Sequence, residues 1–283
     1  MVRAILLISC PDKKGITATI TDFVYKNKGN ILHAEQHTDE YANTFFMRVE
    51  WSMDGFTLAR DKVGKAFAPI ARKFGMEWDL FFTDRRIRMA IFVSKHLHCL
   101  YDLLLRHKSG QIDCDIPVII SNHKDACSVA REFGVEFHHI PVSPRSRDMR
   151  QEEQLKLLKD KKVDLVVLAR YMQILPSAFV DRYRNRIINI HHSFLPAFAG
   201  KNPYLQAYLR GVKIIGATSH YVTEDLDDGP IIEQNTVPIS HRDSLKDLII
   251  EGQDLEKVVL SRAVMRHIER KVLVYDNKTV VFD

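Results

Sequence analysis

Arg186-Ile187-Ile188-Asn189-Ile190-His191-His192-Ser193-Phe194-Leu195-Pro196 is the stretch from which the rest of the chain can be read. Its apolar run, Ile187 to Ile190, has the length of a buried strand rather than of a helix. The chain then releases two histidines and a serine, and Pro196 stops any helix from following. In an open α/β sheet, ligands sit beyond the carboxyl ends of the strands. Asn189 and His191 are two residues apart, so on a strand both side chains point to one face. An amide and an imidazole placed there can donate hydrogen bonds to an oxygen that is becoming negative, as acyl-group chemistry requires.

Upstream, four further apolar runs read as strands: Arg88 to Val93, Cys114 to Ile120, Glu136 to Ile140 and Val163 to Leu168. Helical spacing near 97–107, 124–133 and 149–160 separates them, which predicts a largely parallel, doubly wound sheet with helices on both faces. Downstream, Val212 to Tyr221 and Ile231 to Val237 are two more strands, and Arg242 to Arg270 is a long final helix with a break expected at Gly252.

The first 84 residues keep a different rhythm. Ala4 to Cys10 is a buried strand, and Ile16 to Lys26 is a helix ended by Gly29. Ile31 to Thr38 and Phe45 to Trp51 are strands, Phe56 to Phe74 is a helix closed by Gly75, and Met76 to Thr83 is a last strand. The order β-α-β-β-α-β is the ferredoxin-like unit. Asp84-Arg85-Arg86 reads as the linker, giving domains at 1–84 and 85–283 in an α/β chain.

Composition narrows the function classes. The 283 residues carry 41 basic and 36 acidic side chains, a net charge of +5 mixed through the chain. That balance argues against nucleic acid and suits a polyanionic small molecule. No apolar run approaches the ~20 residues that span a bilayer, and no signal peptide is evident, so a cytoplasmic protein is expected. Cys10, Cys99, Cys114 and Cys127 form no CxxC pair, which fits reduced thiols.

A carboxylate to complete the Asn189 and His191 pair is available in His220-Tyr-Val-Thr-Glu-Asp-Leu-Asp227-Asp228-Gly229-Pro230. Asp225, Asp227 and Asp228 crowd together ahead of apolar Ile231-Ile232, and crowding and burial both raise a carboxyl's pKa toward the range useful for proton transfer. Read singly, the same residues have plain structural roles: Asn189 ending a strand, His191 a satisfied loop histidine, Asp227 part of a polar turn. His191, His192, His220 and Asp227 are also zinc-ligand types, but no HExxH or HxxEH helix pairs them, so no metal and no cofactor is expected.

Asn-Ile-His-His-Ser-Phe-Leu-Pro followed by His-Tyr-Val-Thr-Glu-Asp-Leu-Asp-Asp-Gly-Pro-Ile resembles the formyltetrahydrofolate-dependent formyltransferase-fold family. The Asp-Lys-Lys-Gly-Ile turn and Gly-Asn-Ile in the first domain resemble the ACT family of amino-acid-sensing domains. The resemblance implies catalytic roles for Asn189, His191 and Asp227. It also implies a folate loop at Leu168-Ala169-Arg170-Tyr171-Met172-Gln173-Ile174-Leu175, with Arg170, Tyr171, Met172, Ile174, Leu175 and His220 as substrate contacts. Lys201-Asn202-Pro203-Tyr204 follows the catalytic loop, and Lys201 in particular is given no role.

Transferases of this family that act on glycinamide ribonucleotide carry a Gly-rich turn after the first strand; here that place reads Val93-Ser94-Lys95-His96-Leu97-His98-Cys99, without glycine. No room is left for the carboxyl-terminal RNA-binding domain of the enzyme that formylates initiator methionyl-tRNA. Water is therefore the expected acceptor: 10-formyltetrahydrofolate would be hydrolysed to tetrahydrofolate and formate, which feeds purine synthesis. Formyl transfer to an amine and a non-enzymatic amino-acid sensor are the alternatives. In the first domain the ACT resemblance points to Gly15, Ile16, Asn30 and Ile31 as effector contacts, to methionine or glycine as effector, and to a homo-oligomer.

Overall fold

The computed structural model describes residues 1–143, 146–197 and 203–283; Lys201 and Asn202 fall outside them. Two compact units divide the chain. The first holds β1 (Arg3–Pro11), α1 (Ile16–Lys26), β2 (Asn30–Asp39), β3 (Thr44–Ser52), α2 (Arg60–Phe74) and β4 (Glu77–Phe82). Its antiparallel sheet runs β2-β3-β1-β4, the strand order of the ferredoxin-like unit. Alternation along β1 sends Leu6 and Ile8 into a core with Ile20, Phe67 and Trp51.

The second unit holds a seven-stranded sheet. In chain order its elements are β5 (Ile87–Val93), α3 (His98–Lys108), β6 (Cys114–Ser121), α4 (Ala126–Glu132), β7 (Phe137–His139), α5 (Arg147–Asp160), β8 (Leu165–Ala169), α6 (Ser177–Arg182), β9 (Ile187–His191), α7 (Pro203–Arg210), β10 (Ile214–Tyr221), β11 (Ile231–Pro238) and α8 (Leu245–Ile268). The strand order is β11-β10-β9-β8-β5-β6-β7. β9, β8, β5, β6 and β7 are parallel, whereas β10 runs antiparallel to both β9 and β11. The parallel strands are apolar on both faces, as helices on either side require.

Three departures from expectation have physical causes. α8 passes through Gly252 without a break, because a capping box at Ser244 and Asp247 starts it and its buried face continues on both sides. The glycine is there for space: a Cβ would lie 2.2 Å from the Tyr204 hydroxyl. After α8 the chain forms an unforeseen hairpin, β12 (Val272–Tyr275) and β13 (Lys278–Val281). The division is also less simple than 1–84 and 85–283. The first unit comprises Met1–Arg86 together with Arg270–Leu273 and Val280–Asp283, while Val274–Thr279 at the hairpin tip counts with the second. Within the first unit, buried Arg48 pairs with Glu50 at 2.7 Å and donates from Nε to the Arg270 carbonyl at 3.0 Å, and Phe282 is buried. Among the described residues no helix is long and apolar enough to cross a membrane.

Candidate active site

β9 ends at His191 and runs into the His192-Ser193 turn, and its pairing with β10 builds the site. The antiparallel register sets His220 opposite Asn189 and Thr218 opposite His191. Thr218, fully buried, donates its hydroxyl to the Ser193 carbonyl at 2.9 Å and accepts the Leu195 N–H at 3.0 Å. The chain leaving β9 is thereby pinned, and the histidine just before it cannot swing away.

Asp227 arrives on the loop between β10 and β11 in a left-handed conformation, φ 57°. Gly229 lets this loop close onto the strand: a Cβ there would lie 1.7 Å from the Tyr221 carbonyl oxygen, a backbone atom with nowhere to go. The Tyr221 N–H donates to the Pro230 carbonyl at 2.9 Å, and at the loop's outer side the Asn277 side-chain amide donates to the Asp228 carbonyl at 2.7 Å.

The resulting ring of contacts is short. His191 Nδ1 lies 3.1 Å from Asp227 Oδ2, and His220 Nε2 lies 3.7 Å from Asp227 Oδ1 and 3.2 Å from Asn189 Nδ2. His220 Nδ1 donates to its neighbour's carbonyl, Tyr221 O, at 2.9 Å. In that tautomer Nε2 keeps a lone pair that accepts from the Asn189 amide, which turns the amide nitrogen toward the ring. His191 Nε2 is buried and has no hydrogen-bond partner among the described residues. An unsatisfied buried nitrogen is costly, and a ligand oxygen would relieve it.

The electrostatics of Asp227 differ from the sequence expectation. Burial raises its carboxyl, but the neighbouring imidazoles, His191 at hydrogen-bond distance and His220 3.7 Å away, outweigh burial and hold it well below the ordinary carboxylate range. Asp225 and Asp228 are exposed and are not among the causes. The crowded-carboxylate argument therefore fails, because the neighbours in sequence turn outward and the neighbours in space are histidines.

The folate-loop residues divide. Met172 and Ile174 are 59% and 55% exposed, free to cover a ligand. Tyr171 and Leu175 are core residues instead: Tyr171 stands edge-to-face on Phe92, and its hydroxyl accepts from Gln154 at 3.1 Å. The Met172 N–H is already engaged by the Ser94 hydroxyl at 3.1 Å, so it is not open to a ring system. Arg170, in a left-handed conformation with φ 62°, turns its side chain inward, where Nε lies 3.5 Å from Glu256. His220 holds Asn189 and Asp227 rather than facing an open pocket.

Sequence reasoning missed the group around Glu256. The His192 ring lies tilted against His191, with centroids 5.2 Å apart, and 5.8 Å from the Tyr204 ring. Burial and the Arg170 charge push its imidazole down to about 3. Tyr204 donates its hydroxyl to Glu256 at 2.5 Å, and His98 donates to the other carboxylate oxygen at 2.8 Å. The available signal was a glycine and a glutamate one turn apart, Gly252 and Glu256, on the mostly apolar buried face of a helix. His98, Cys99 and Glu256 bring ligand-type atoms within 4.8 Å of one another. The adjacent guanidinium and a thiol pushed well up by burial and by Glu256 both oppose a cation there.

A family model described as formyl transferase matches residues 87–264, and an ACT domain model matches residues 4–50. The chain is 53% identical over 281 residues to a formyltetrahydrofolate deformylase of Synechocystis sp., with 99% of each chain covered. Identity to the Bacillus subtilis protein of the same name is 47%, covering 98% of this chain and 93% of that one. The crystal structure of a formyltetrahydrofolate deformylase from Pseudomonas syringae is similar at a TM-score of 0.97 and 47% identity, covering 100% of this chain and 95% of that one.

Proposed function

Membership of the formyltetrahydrofolate deformylase family makes this chain an enzyme that hydrolyses 10-formyltetrahydrofolate, and we propose that Asn189, His191 and Asp227 carry the reaction. The observation that supports this assignment is the buried His191 ring, tied at Nδ1 to an ionised carboxylate while Nε2 is left without a partner among the described residues.

The roles follow from that geometry. Asp227 orients His191 and accepts a hydrogen bond from the attacking water, whose oxygen bonds to the formyl carbon. Doubly protonated, His191 presents Nε2–H to the formyl oxygen as it becomes negative, and the free N–H of Asn189 is its second donor. Collapse breaks the bond from carbon to N10. One water proton ends on N10, giving tetrahydrofolate, and the other leaves with formate. Asp227 works as a fixed anion that binds water and charge, because its depressed pKa makes it a poor store for a proton. Exposed Met172 and Ile174 supply apolar cover for the substrate's ring system.

The test is formate release from 10-formyltetrahydrofolate with no acceptor but water. Formyl transfer to an added amine, without formate, would overturn the acceptor assignment. No metal takes part in this scheme. Dialysis against a strong chelator should leave turnover intact; activity lost and restored by zinc alone would reverse that expectation.

The first unit carries the regulatory part of the proposal. Gly15 is left-handed, with open space where a Cβ would stand, and Asn30 is exposed at the start of β2, so both can face a small amino acid such as methionine or glycine. Ile16 is core and Ile31 packs against it, so these two shape the turn rather than touch an effector. Assembly of several copies through this unit is part of the same reading.

A further inference from the structure

Arg170 is the first residue beyond the carboxyl end of β8, the region in which open α/β sheets take their ligands. Its backbone is fixed on both sides: its N–H donates to the Leu168 carbonyl at 3.1 Å, and its carbonyl accepts the Ser94 N–H at 3.2 Å. The left-handed conformation at φ 62° is one that glycine adopts freely and a long side chain does not. A cation is thus held inward at the end of a central strand.

The Arg170 side chain is 10% exposed, and its buried Nε and Nη1 have no hydrogen-bond partner among the described residues. Glu256 lies 3.5 Å from Nε without making a hydrogen bond to it, and its own oxygens are taken by Tyr204 and His98. Leaving a buried charged donor unmade is costlier than leaving a neutral one. The charge of Arg170 lowers both His192 and His96, so it lies within electrostatic reach of both, and the His192 ring lies against His191. His96 is exposed, and His98 and His192 are half-buried, so the cluster opens to solvent on that side. His191 Nε2, also buried and unpartnered, is the neighbouring donor in want of an oxygen.

We propose that Arg170 is a product-binding residue, whose guanidinium receives formate as the bond from carbon to N10 breaks. The inference rests on the hydrolytic reading above. At collapse the formyl oxygen and the water oxygen become the two oxygens of a planar carboxylate, and a full negative charge appears. Asp227 and Glu256, both held below the ordinary carboxyl range, oppose that charge, and neutral His192 cannot offset it. A guanidinium is always charged, and its fork of donors matches a carboxylate. Arg170 supplies that fork next to the reacting groups with its hydrogen bonds unspent.

Sodium formate is the probe, with sodium chloride as the control at constant ionic strength. A ligand of three non-hydrogen atoms binds no tighter than roughly millimolar, so the titration runs to about 100 mM. Turnover, followed as tetrahydrofolate formed, and the unfolding midpoint without substrate are measured on the full chain for the wild type, Arg170→Gln and Arg170→Lys. Formate, and not chloride, should inhibit the wild type and raise its midpoint. Arg170→Gln should bind formate at least about tenfold more weakly, the equivalent of one charge-assisted hydrogen bond, while a folate analogue binds both proteins equally well. Arg170→Lys keeps the charge without the fork and should fall between them. Formate no more effective than chloride, or equally effective on wild type and Arg170→Gln, overturns the proposal. So does a loss of analogue binding with formate binding intact, which would assign the cation to the carboxylates of the folate itself. If Arg170→Gln does not fold, Arg170→Lys carries the test, and an unchanged formate affinity there overturns the proposal too. Formate release by the wild type in an acceptor-free assay reports separately on the hydrolytic reading: an enzyme that releases formate but does not bind it fails this proposal alone.

Discussion

Asp227 and His192 sit on either side of His191 and are pushed in the same direction on the pH scale with different consequences. Asp227 is held ionised, so its loss is a loss of charge: Asp227→Asn should lower turnover by about 10²-fold or more while a folate analogue still binds. Near wild-type turnover in the folded variant would remove Asp227 from the mechanism, and exposed Asp225→Asn is the milder control. His192 is held neutral, down to about 3 against an unfolded value near 6.5. Between those values the unfolded chain binds more protons, so stability is full above about pH 6.5 and falls as pH drops toward 3. The carboxylates that burial partners hold low, Asp227 and Glu256, lose their contribution only below the ordinary carboxyl range, so pH 5 to 7 isolates histidine. Unfolding midpoints at pH 7 and pH 5 should differ less in His192→Phe than in the wild type. Equal differences would refute the assignment, and His96, shifted downward by burial as well, is unchanged in the comparison.

In α8 a helix-breaking residue stands inside an unbroken helix. Alanine at position 252 would be favoured by helix propensity, by roughly 1 kcal/mol. Contact with Tyr204 decides the outcome the other way: the new methyl would meet the phenol at 2.2 and 2.3 Å, and overpacking of this kind typically costs about 1–3 kcal/mol. Gly252→Ala should therefore lower the unfolding midpoint and, by moving Tyr204 off Glu256 and His192, lower turnover too. A more stable variant would mean that Tyr204 moves aside at no cost. The hairpin β12–β13 is a second element whose importance lies in what it touches. The Asn277 side chain at its tip holds the Asp228 carbonyl, and Thr279 donates its hydroxyl to the Ile231 carbonyl at 2.5 Å, so each end of the loop segment after Asp227 is fastened from outside β10 and β11.

For the molecule as a whole the open question is communication. An effector bound in the first unit alters catalysis only if it binds the active and inactive states unequally, typically by 1–3 kcal/mol of coupling, about 5- to 150-fold. Removing residues 1–84 is a blunt test, because Phe282 and Leu273 belong to the first unit's buried residues and would lose their cover. Asn30→Ala in the full chain is sharper. Methionine or glycine should change the deformylation rate of the wild type and not of the variant. Identical, effector-independent rates in both would make this unit an assembly module only.

The periodicity of the apolar residues was enough to locate most strands and helices, because burial on one face or on both writes a period of two or an unbroken run into the sequence. Asn189, His191 and Asp227 stand out as candidates because they are residue types that do chemistry, at or just beyond apolar strands, within motifs that resemble the family's. Short α6 and α7 and the terminal hairpin escaped, since few turns and short strands leave no period to detect. What the one-dimensional pattern could not supply was pairing. The state of Asp227 is set by His191, 36 residues away, which donates to it, and by His220, 7 residues away, which stands beside it, and not by Asp225 or Asp228 next to it in the chain. Glu256 meets His98 across 158 residues and Tyr204 across 52. Hydrogen bonds and charges act through space over a few ångströms, and only the assembled sheet with α8 packed against it brings those groups within that reach.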